Sequence, residues 1–379
     1  MSAVRKRALF AAVVAAGLGL SACSSDATPT TSSASTPAAT TTSSSSAGTT
    51  SSSATASSSS ASTSTSATSG SVAFATSDAN MAAGSGAGKT IVYVPGLTGV
   101  PFYSSVSCGA QAEADKLGAK FSTQGDPTFA VDKQTAIINA LIASKPDAIM
   151  ISITDPEAMI QPLQDAKNAG IKIIGIDGDL TDQSVMDTNI QSDNLIGGAM
   201  AADTLGDAMG GSGDVLIIDN ATGSLISGAR VKGFEDELKA KYPNIKNLGV
   251  QYSANASDKA ASIASAAATS NPNLKGIFTV ETNNTQGAIT GIGEAGKTGQ
   301  IKLVGYDTSD PIVQGLHDKT VDGAIVQYPL GEGVLGVQSA IKLLNGGTVD
   351  RLQTTPFVVA TPTNVDTAEV QSYIYKVDC

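Results

Sequence analysis

The side chains that usually carry chemistry are sparse in this chain of 379 residues. Its one histidine, His317, sits in a polar stretch, so neither a Ser–His triad nor a histidine-based zinc cluster can be assembled. Two glycine-rich stretches imitate nucleotide-binding loops. Gly84–Thr90 nearly spells a P-loop, but Ala83 stands where its first glycine belongs, and no strand pattern precedes it. Gly291, Gly293 and Gly296 satisfy G-x-G-x-x-G, yet they end a helical pattern and precede a strand. That is the reverse of the dinucleotide order, so they read as a helix terminus. Acidic residues are plentiful, and counting alone leaves a carboxylate-only hydrolase open, but nothing in the sequence points to one. No metal and no cofactor is expected.

The three cysteines are more informative. Arg5, Lys6 and Arg7 precede the apolar run Ala8–Leu20, which is too short to span a bilayer comfortably, and Leu20-Ser21-Ala22-Cys23 follows. This resembles the lipobox of bacterial lipoproteins, so residues 1–22 read as a lipoprotein signal peptide and Cys23 as the lipidated first residue of the mature chain. An ordinary secretory signal with a chance cysteine is the bland alternative. Two or more acyl chains give stable anchoring where one does not. The expected location is therefore extracytoplasmic, at the cell membrane. Cys108 and Cys379 are left as an even pair in an oxidising compartment, where a disulfide is the expected state. Closing so long a loop contributes on the order of 5 kcal/mol at most. The alternative is two free thiols, with Cys108 packed in a core.

Formal net charge is −11, and the signal peptide holds three of the cations, so the mature chain is acidic. That argues against nucleic acid or an anionic membrane face as partner. No second long apolar segment is present, so no transmembrane span is expected. Residues 23–88 are rich in Ser, Thr, Ala and Gly, with few large apolar side chains. They read as a disordered tether beginning at the lipidated cysteine.

From Lys89 onward the chain has the size of about two domains. Short, nearly continuous apolar runs mark buried parallel strands at Ile91–Val94, Ala148–Ile153, Lys172–Ile176, Val215–Ile218, Gly276–Val280, Leu303–Tyr306 and Ala324–Val326. Helical patterns alternate with them, at Ser104–Leu117, Val131–Ser144, Ala158–Ala169, Leu195–Met209, Gly228–Lys241, Asp258–Thr269, Thr285–Glu294 and Leu330–Leu344. In the second of these, Ala136, Ile137, Ala140, Leu141 and Ser144 share a face. The alternation predicts an α/β fold of two doubly wound parallel-sheet lobes. A ligand cleft then lies beyond the carboxyl ends of the strands, and the lobes close on it about a hinge.

Pro101-Phe102-Tyr103, Cys108-Gly109-Ala110-Gln111, Lys145-Pro146-Asp147-Ala148, Asn189–Asn194, Arg230-Val231-Lys232-Gly233-Phe234, Val304-Gly305-Tyr306-Asp307 and the closing Tyr373–Cys379 form an ordered series. Together they resemble the type I periplasmic binding proteins, ribose-binding-protein-like, of sugar ABC importers. The resemblance spans essentially all of 89–379, and one of its subgroups pairs a Cys-Gly-Ala-Gln start with a terminal cysteine. It implies an N-terminal lobe of 89–192 plus 328–358. The C-terminal lobe and tail are then 193–327 plus 359–379, with several chain crossings as the hinge.

The resemblance also implies a ligand set. Phe102 and Tyr103 follow the first strand, where the family stacks aromatics on a sugar face, with core packing as the alternative. Asp177 and Asp307 end strands, where carboxylates accept paired hydrogen bonds from adjacent hydroxyls; helix capping is the alternative. Gln327 matches an amide at a hinge crossing. Glu281 fills a slot usually held by asparagine, beside Asn283, and Asn255 stands where some relatives carry an aromatic. The family's Asp-Arg pair is Asp177-Gly178 here, and an arginine expected two residues before Arg230 is Gly228. Arg230 itself reads as structural. Lost guanidinium forks weaken the grip on a ring sugar and argue against phosphorylated or acidic ligands. The implied function is an ABC-importer binding lipoprotein, without enzymatic activity and expected to be monomeric. It would capture a neutral pentose, hexose, tetritol or pentitol and deliver it to the permease subunits. The alternative is a binding protein that presents its sugar to a membrane receptor or kinase.

Overall fold

A computed structural model describes residues 75–379. The signal peptide, Cys23 and the tether as far as residue 74 lie outside the described residues.

The first lobe is laid down as β1 (Thr90–Val94), α1 (Pro101–Leu117), β2 (Lys120–Thr123), α2 (Val131–Ser144), β3 (Ala148–Ile151), α3 (Ile160–Asn168), β4 (Lys172–Ile176) and β5 (Thr188–Ser192). The chain then crosses into α4 (Asn194–Ala208), β6 (Gly213–Asp219), α5 (Leu225–Lys241), β7 (Ile245–Tyr252), α6 (Ser257–Ser270) and β8 (Leu274–Thr279). The second lobe continues through α7 (Thr282–Glu294), β9 (Lys302–Tyr306), α8 (Asp310–His317) and β10 (Gly323–Val326). After it come α9 (Pro329–Leu344), β11 (Leu352–Thr355), β12 (Val358–Ala360) and α10 (Ala368–Gln371).

The strands form two six-stranded sheets, ordered β11-β5-β4-β3-β1-β2 and β12-β10-β9-β8-β6-β7. Position by position the two orders are the same, so one lobe repeats the other. Pairings are parallel except β10 with β12. Alternate side chains of each strand face opposite helical layers, as the period of two requires. In the first lobe Val92, Ile149, Ile151 and Ile173 pack with Ile138, Leu141 and Leu163 of α2 and α3. In the second, Val215, Ile217, Phe278 and Val304 pack against α4 and α5, with Phe234 stacked on Phe278 at 4.3 Å. The buried face of α2 is Gln134, Ile138 and Leu141, whereas Ala136 and Ala140 of the expected face are exposed. The larger side chains turn the helix onto the sheet.

All seven expected strands form, and five more appear: β2, β5, β7, β11 and β12. Four of these are sheet edges, half-exposed and therefore not continuously apolar. The fifth, Thr-Asn-Ile-Gln-Ser in β5, is buried but polar. Its Thr188 donates to the Asp350 carbonyl at 2.7 Å, and Ser192 hydrogen-bonds Thr355 at 3.2 Å. Phe102 and Tyr103 lie in the first turn of α1 rather than in a loop before it, because Pro101 at the first helical position starts the helix early.

Two boundaries shift. Residues 75–88, expected at the end of the tether, are tied to the first lobe instead. Ala75 N–H donates to Thr354 O, Asp78 N–H to Gln338 Oε1 and Gly86 N–H to Leu117 O, and Met81 packs on the core. Backbone hydrogen bonds rather than apolar bulk hold this segment, so its composition concealed it. The chain crosses between the sheets at Ser192/Asn194, Val326/Pro329 and Thr355/Val358. Within 359–379, assigned to the second lobe, the last residues return to the first lobe, where Cys379 is joined to Cys108 of α1 by a disulfide.

Each lobe also presses two helices together through glycine. A Cβ on Gly109 (α1) would lie 2.0 Å from Leu330 O, and one on Gly333 (α9) 2.1 Å from Val106 O. In the second lobe a Cβ on Gly198 (α4) would lie 2.1 Å from Arg230 O, and one on Gly233 (α5) 2.0 Å from Leu195 O. These obstacles are backbone, which cannot step aside. Gly233→Ala is expected to cost roughly 1–3 kcal/mol by overpacking, a fall of several degrees in Tm. A melting curve superimposable on the parent's would count against this packing.

Candidate functional site

The carboxyl ends of both sheets open on one cleft of about 590 Å³. Loops after β1, β3 and β4 wall it on one side and loops after β6 to β9 on the other, with Gln327 at the β10 crossing. Phe102, Tyr103, Asp177, Asn255, Glu281, Asn283, Asp307 and Gln327 all line this cleft.

Asp177 directly follows β4 and Asp307 directly follows β9, equivalent places in the two lobes. Both take a left-handed backbone, at φ 44° and 69°. Their N–H groups donate to matching carbonyls, Asp177 to Ile190 at 2.8 Å and Asp307 to Ile325 at 2.9 Å. Four of the six non-glycine residues with positive φ among the described residues line the cleft, the others there being Ala254 and Asn255. Such conformations persist only where surrounding structure imposes them, and they gather at ligand sites. Neither aspartate caps a helix; the α8 cap position is Ser309.

The hydrogen bonds around Asp307 are dense. Its Oδ1 accepts from Gln327 Nε2 at 2.8 Å and from the Tyr375 hydroxyl at 2.7 Å, and Oδ2 accepts from Thr282 Oγ1 at 3.3 Å. A carboxylate has about four acceptor positions, so one direction on Oδ2 stays open. Asn283 Nδ2 donates to Asn255 Oδ1 at 2.8 Å, which makes this wall a polar amide pair. Phe102 is buried and stands edge-on to Tyr103 and Tyr375, at 5.4 and 5.7 Å between centroids. Of the two aromatics Tyr103 is the more open to the cleft.

Arg230, read from sequence as structural, lines the cleft and is buried. Its Nε donates to Asn194 Oδ1 and its Nη1 to Val280 O, both at 2.8 Å, and its guanidinium lies over the Tyr306 ring at 4.2 Å. Nη2 has no hydrogen-bond partner and stands 3.9 Å from Asp177 Oδ1 of the other lobe. Arg230 is thus both a structural tie and a donor aimed into the cleft. It partly restores what Gly178 and Gly228 removed. A Cβ on Gly178 would meet Ile153 Cγ1 at 2.8 Å, so bulk is barred there, whereas Gly228 faces open space.

Asp177 Oδ1, Glu281 Oε1 and Gln327 Oε1 are buried without hydrogen-bond partners, and Asp177 Oδ1 faces the Arg230 donor. Delivered from both lobes and the hinge, these polar atoms suit a ligand rich in hydroxyls, which both donate and accept. Burial pushes Asp177 up to about 6 against the pull of Arg230. Burial, reinforced by Asp307, pushes Glu281 up to about 8. Among the described residues no cluster of His, Cys, Asp or Glu is arranged to hold a metal, and no helix is long and apolar enough to cross a membrane.

Sequence reasoning missed Phe129, which lies on the rim, and Tyr375. Phe129 follows the polar edge strand β2, whose absence from the apolar pattern left its loop unplaced. Tyr375 belongs to the closing block Tyr373–Cys379, and only the tail's return path brings it beneath Asp307.

Residues 91–348 match the family model of a periplasmic binding protein domain. Ribose import binding protein of Escherichia coli K12 is 28% identical over 274 residues, 72% of this chain and 90% of that protein. D-ribose/D-allose-binding protein of Pseudomonas aeruginosa is 28% identical, over 70% of this chain and 85% of its own. Among solved structures, an ABC transporter solute binding protein from Agrobacterium vitis bound with α-D-tagatopyranose superimposes with a TM-score of 0.73. It is 35% identical and covers 76% of this chain and 99% of its own. A carbohydrate transporter solute binding protein from Agrobacterium radiobacter, in complex with D-arabinose, gives 0.72 at 29% identity, over 76% and 98%.

The raised Glu281 carboxyl makes stability fall with pH. Between its ordinary value of 4.5 and about 8 the folded protein holds a proton that the unfolded chain has lost. Stability therefore declines as pH rises through that window, with the full cost above it. Glu281→Gln, neutral at every pH, is expected to gain on the parent from pH 5 to pH 8, by roughly 1–3 kcal/mol. A Tm difference that stays constant with pH would refute the assignment.

Proposed function

This chain belongs to the periplasmic binding protein family, and from that premise we propose that it captures a neutral monosaccharide or sugar alcohol in the cleft and delivers it to an ABC permease. The observation that carries the reading is the convergence of Asp177 Oδ1, Arg230 Nη2, Glu281 Oε1 and Gln327 Oε1, polar atoms buried without hydrogen-bond partners, from both lobes and the hinge. Ligand hydroxyls complete those hydrogen bonds only when the lobes are brought together, so binding stabilises the closed form. Tyr103 supplies an apolar face beside the carboxylates. With one cation, Arg230, beside the carboxylates Asp177 and Asp307, an anionic ligand would meet repulsion. Relatives that bind ribose, tagatose and arabinose by name support a sugar of this size.

A thermal-shift screen over pentoses, hexoses and C4–C6 alditols tests the reading. A binder at a hundredfold excess over its Kd raises stability by about 2.7 kcal/mol. No shift from any neutral member, with a shift from sugar phosphates or sugar acids, would overturn it. Asp307→Asn keeps a side chain that tolerates the left-handed backbone and removes the charge. For the hit it is expected to weaken affinity by roughly tenfold to a hundredfold, and calorimetry showing parental affinity would remove Asp307 from the site.

The same reading places the protein outside the cytoplasm, held to the membrane by lipid on Cys23. Cys23→Ser is expected to move the protein from the membrane fraction into the medium. If the variant stays with the membranes, the anchor lies elsewhere.

A further inference from the structure

The last residues of the chain run along one face of α1. Phe102, Ser105 and Cys108, three residues apart, meet Tyr375, Lys376 and Cys379 in turn. The Phe102 ring stands edge-on to Tyr375 at 5.7 Å. Ser105 Oγ accepts from Lys376 N–H at 2.7 Å and donates to Lys376 O at 3.1 Å. Cys108 is bonded to Cys379. On its other side the buried Tyr375 faces the second lobe and the hinge. Its N–H donates to Thr308 Oγ1 at 3.0 Å, its hydroxyl donates to Asp307 Oδ1 at 2.7 Å, and that hydroxyl accepts from Gln327 N–H at 3.3 Å.

We propose that Tyr375 is the positioning residue of the cleft, held in place by a disulfide-fastened C-terminal strap, and that it orients Asp307 and Gln327 for ligand without touching ligand itself. Asp307 and Gln327 both line the cleft, and Tyr375 does not. Asp307 Oδ1 is occupied by Tyr375 and Gln327, which turns Oδ2 toward the cleft and leaves Gln327 Oε1 without a partner there. A hydrogen bond to a carboxylate is among the strongest neutral donors make, so removing the hydroxyl takes away one of the two donors that fix Oδ1 and loosens the carboxylate's orientation. The strap determines where that hydroxyl stands, because Tyr375 is bracketed by the Ser105 and Cys108 attachments on one side and Thr308 on the other. Aromatic wall, carboxylate and hinge amide are thereby set relative to one another by one side chain.

This inference rests on the sugar-binding reading, and its test separates the two. Tyr375→Phe keeps the ring against Phe102 and deletes the hydroxyl. Calorimetry with D-tagatose and D-arabinose is expected to show a loss of affinity of roughly tenfold to a hundredfold, with Tm changed by no more than a few degrees. Reductant is expected to weaken binding by the parent and to have no further effect on the variant, since the strap acts through the hydroxyl. Equal affinities for parent and variant, or an equal reductant effect on both, would overturn the proposal and leave the strap a stabilising clasp. If neither sugar binds the parent, the wider screen of neutral sugars and alditols decides the sugar reading, and amide exchange in the ligand-free protein decides this one. Exchange at the Gln327 N–H is expected to quicken in Tyr375→Phe and in the reduced parent, and unchanged protection there would sink it.

Discussion

Arg230 places a permanent positive charge in a region largely removed from water, and the cleft is organised around keeping that charge compensated. Its guanidinium touches the start of α4 through Asn194, the end of β8 through Val280 and the end of β9 through the Tyr306 ring. It also faces Asp177 of the opposite lobe. A buried charge without partners is among the most costly features a fold can contain, so these elements have to arrive together. Desolvation raises Asp177 and Glu281, and Arg230 opposes that rise at both. The one cation therefore sets how much negative charge the cleft can hold and lets a single donor face several acceptors.

The repeated architecture explains why the polar groups meet. Two sheets with the same strand order point their carboxyl edges at each other, so an aspartate after the fourth strand of each lobe becomes a facing pair. The hinge between them carries a buried carboxylate of its own. Glu332, in the first turn of α9, accepts from Thr355 at 3.1 Å and Ser192 at 3.4 Å, so all three crossings share one side chain. Burial, with Asp177 nearby, pushes its carboxyl well above the usual range. Ties of this kind hold the three crossings side by side. The C-terminal tail then adds a disulfide that fastens its last residue to α1 of the first lobe.

Strands in the middle of each sheet were legible because burial on both faces writes a continuous apolar run, as in Ala-Ile-Met-Ile of β3. The edges β2, β7, β11 and β12 were not, because one face meets water, and β5 was hidden by side chains whose polar groups find partners inside. The cleft-lining positions were legible from the family resemblance, since Asp177, Glu281, Asp307 and Gln327 stand at or just beyond strand ends. Arg230 was read only by half: its place in α5 was visible, but its path between Asn194, Val280 and the cleft was not.

By itself the sequence determined the two-lobed α/β class, the acidic character and the residues beyond the strand ends, because hydrophobic period and strand-end position are local properties of the chain. Tertiary structure decided which of those residues share hydrogen bonds, which atoms stay unpartnered, and where a long-range attachment reaches the site. Tyr375 shows the difference. It lies 68 residues from Asp307 in sequence, yet its hydroxyl is 2.7 Å from that carboxylate. Only the return of the tail along α1 to Cys108 brings the two together, and no local pattern encodes a path that the packing of both lobes defines.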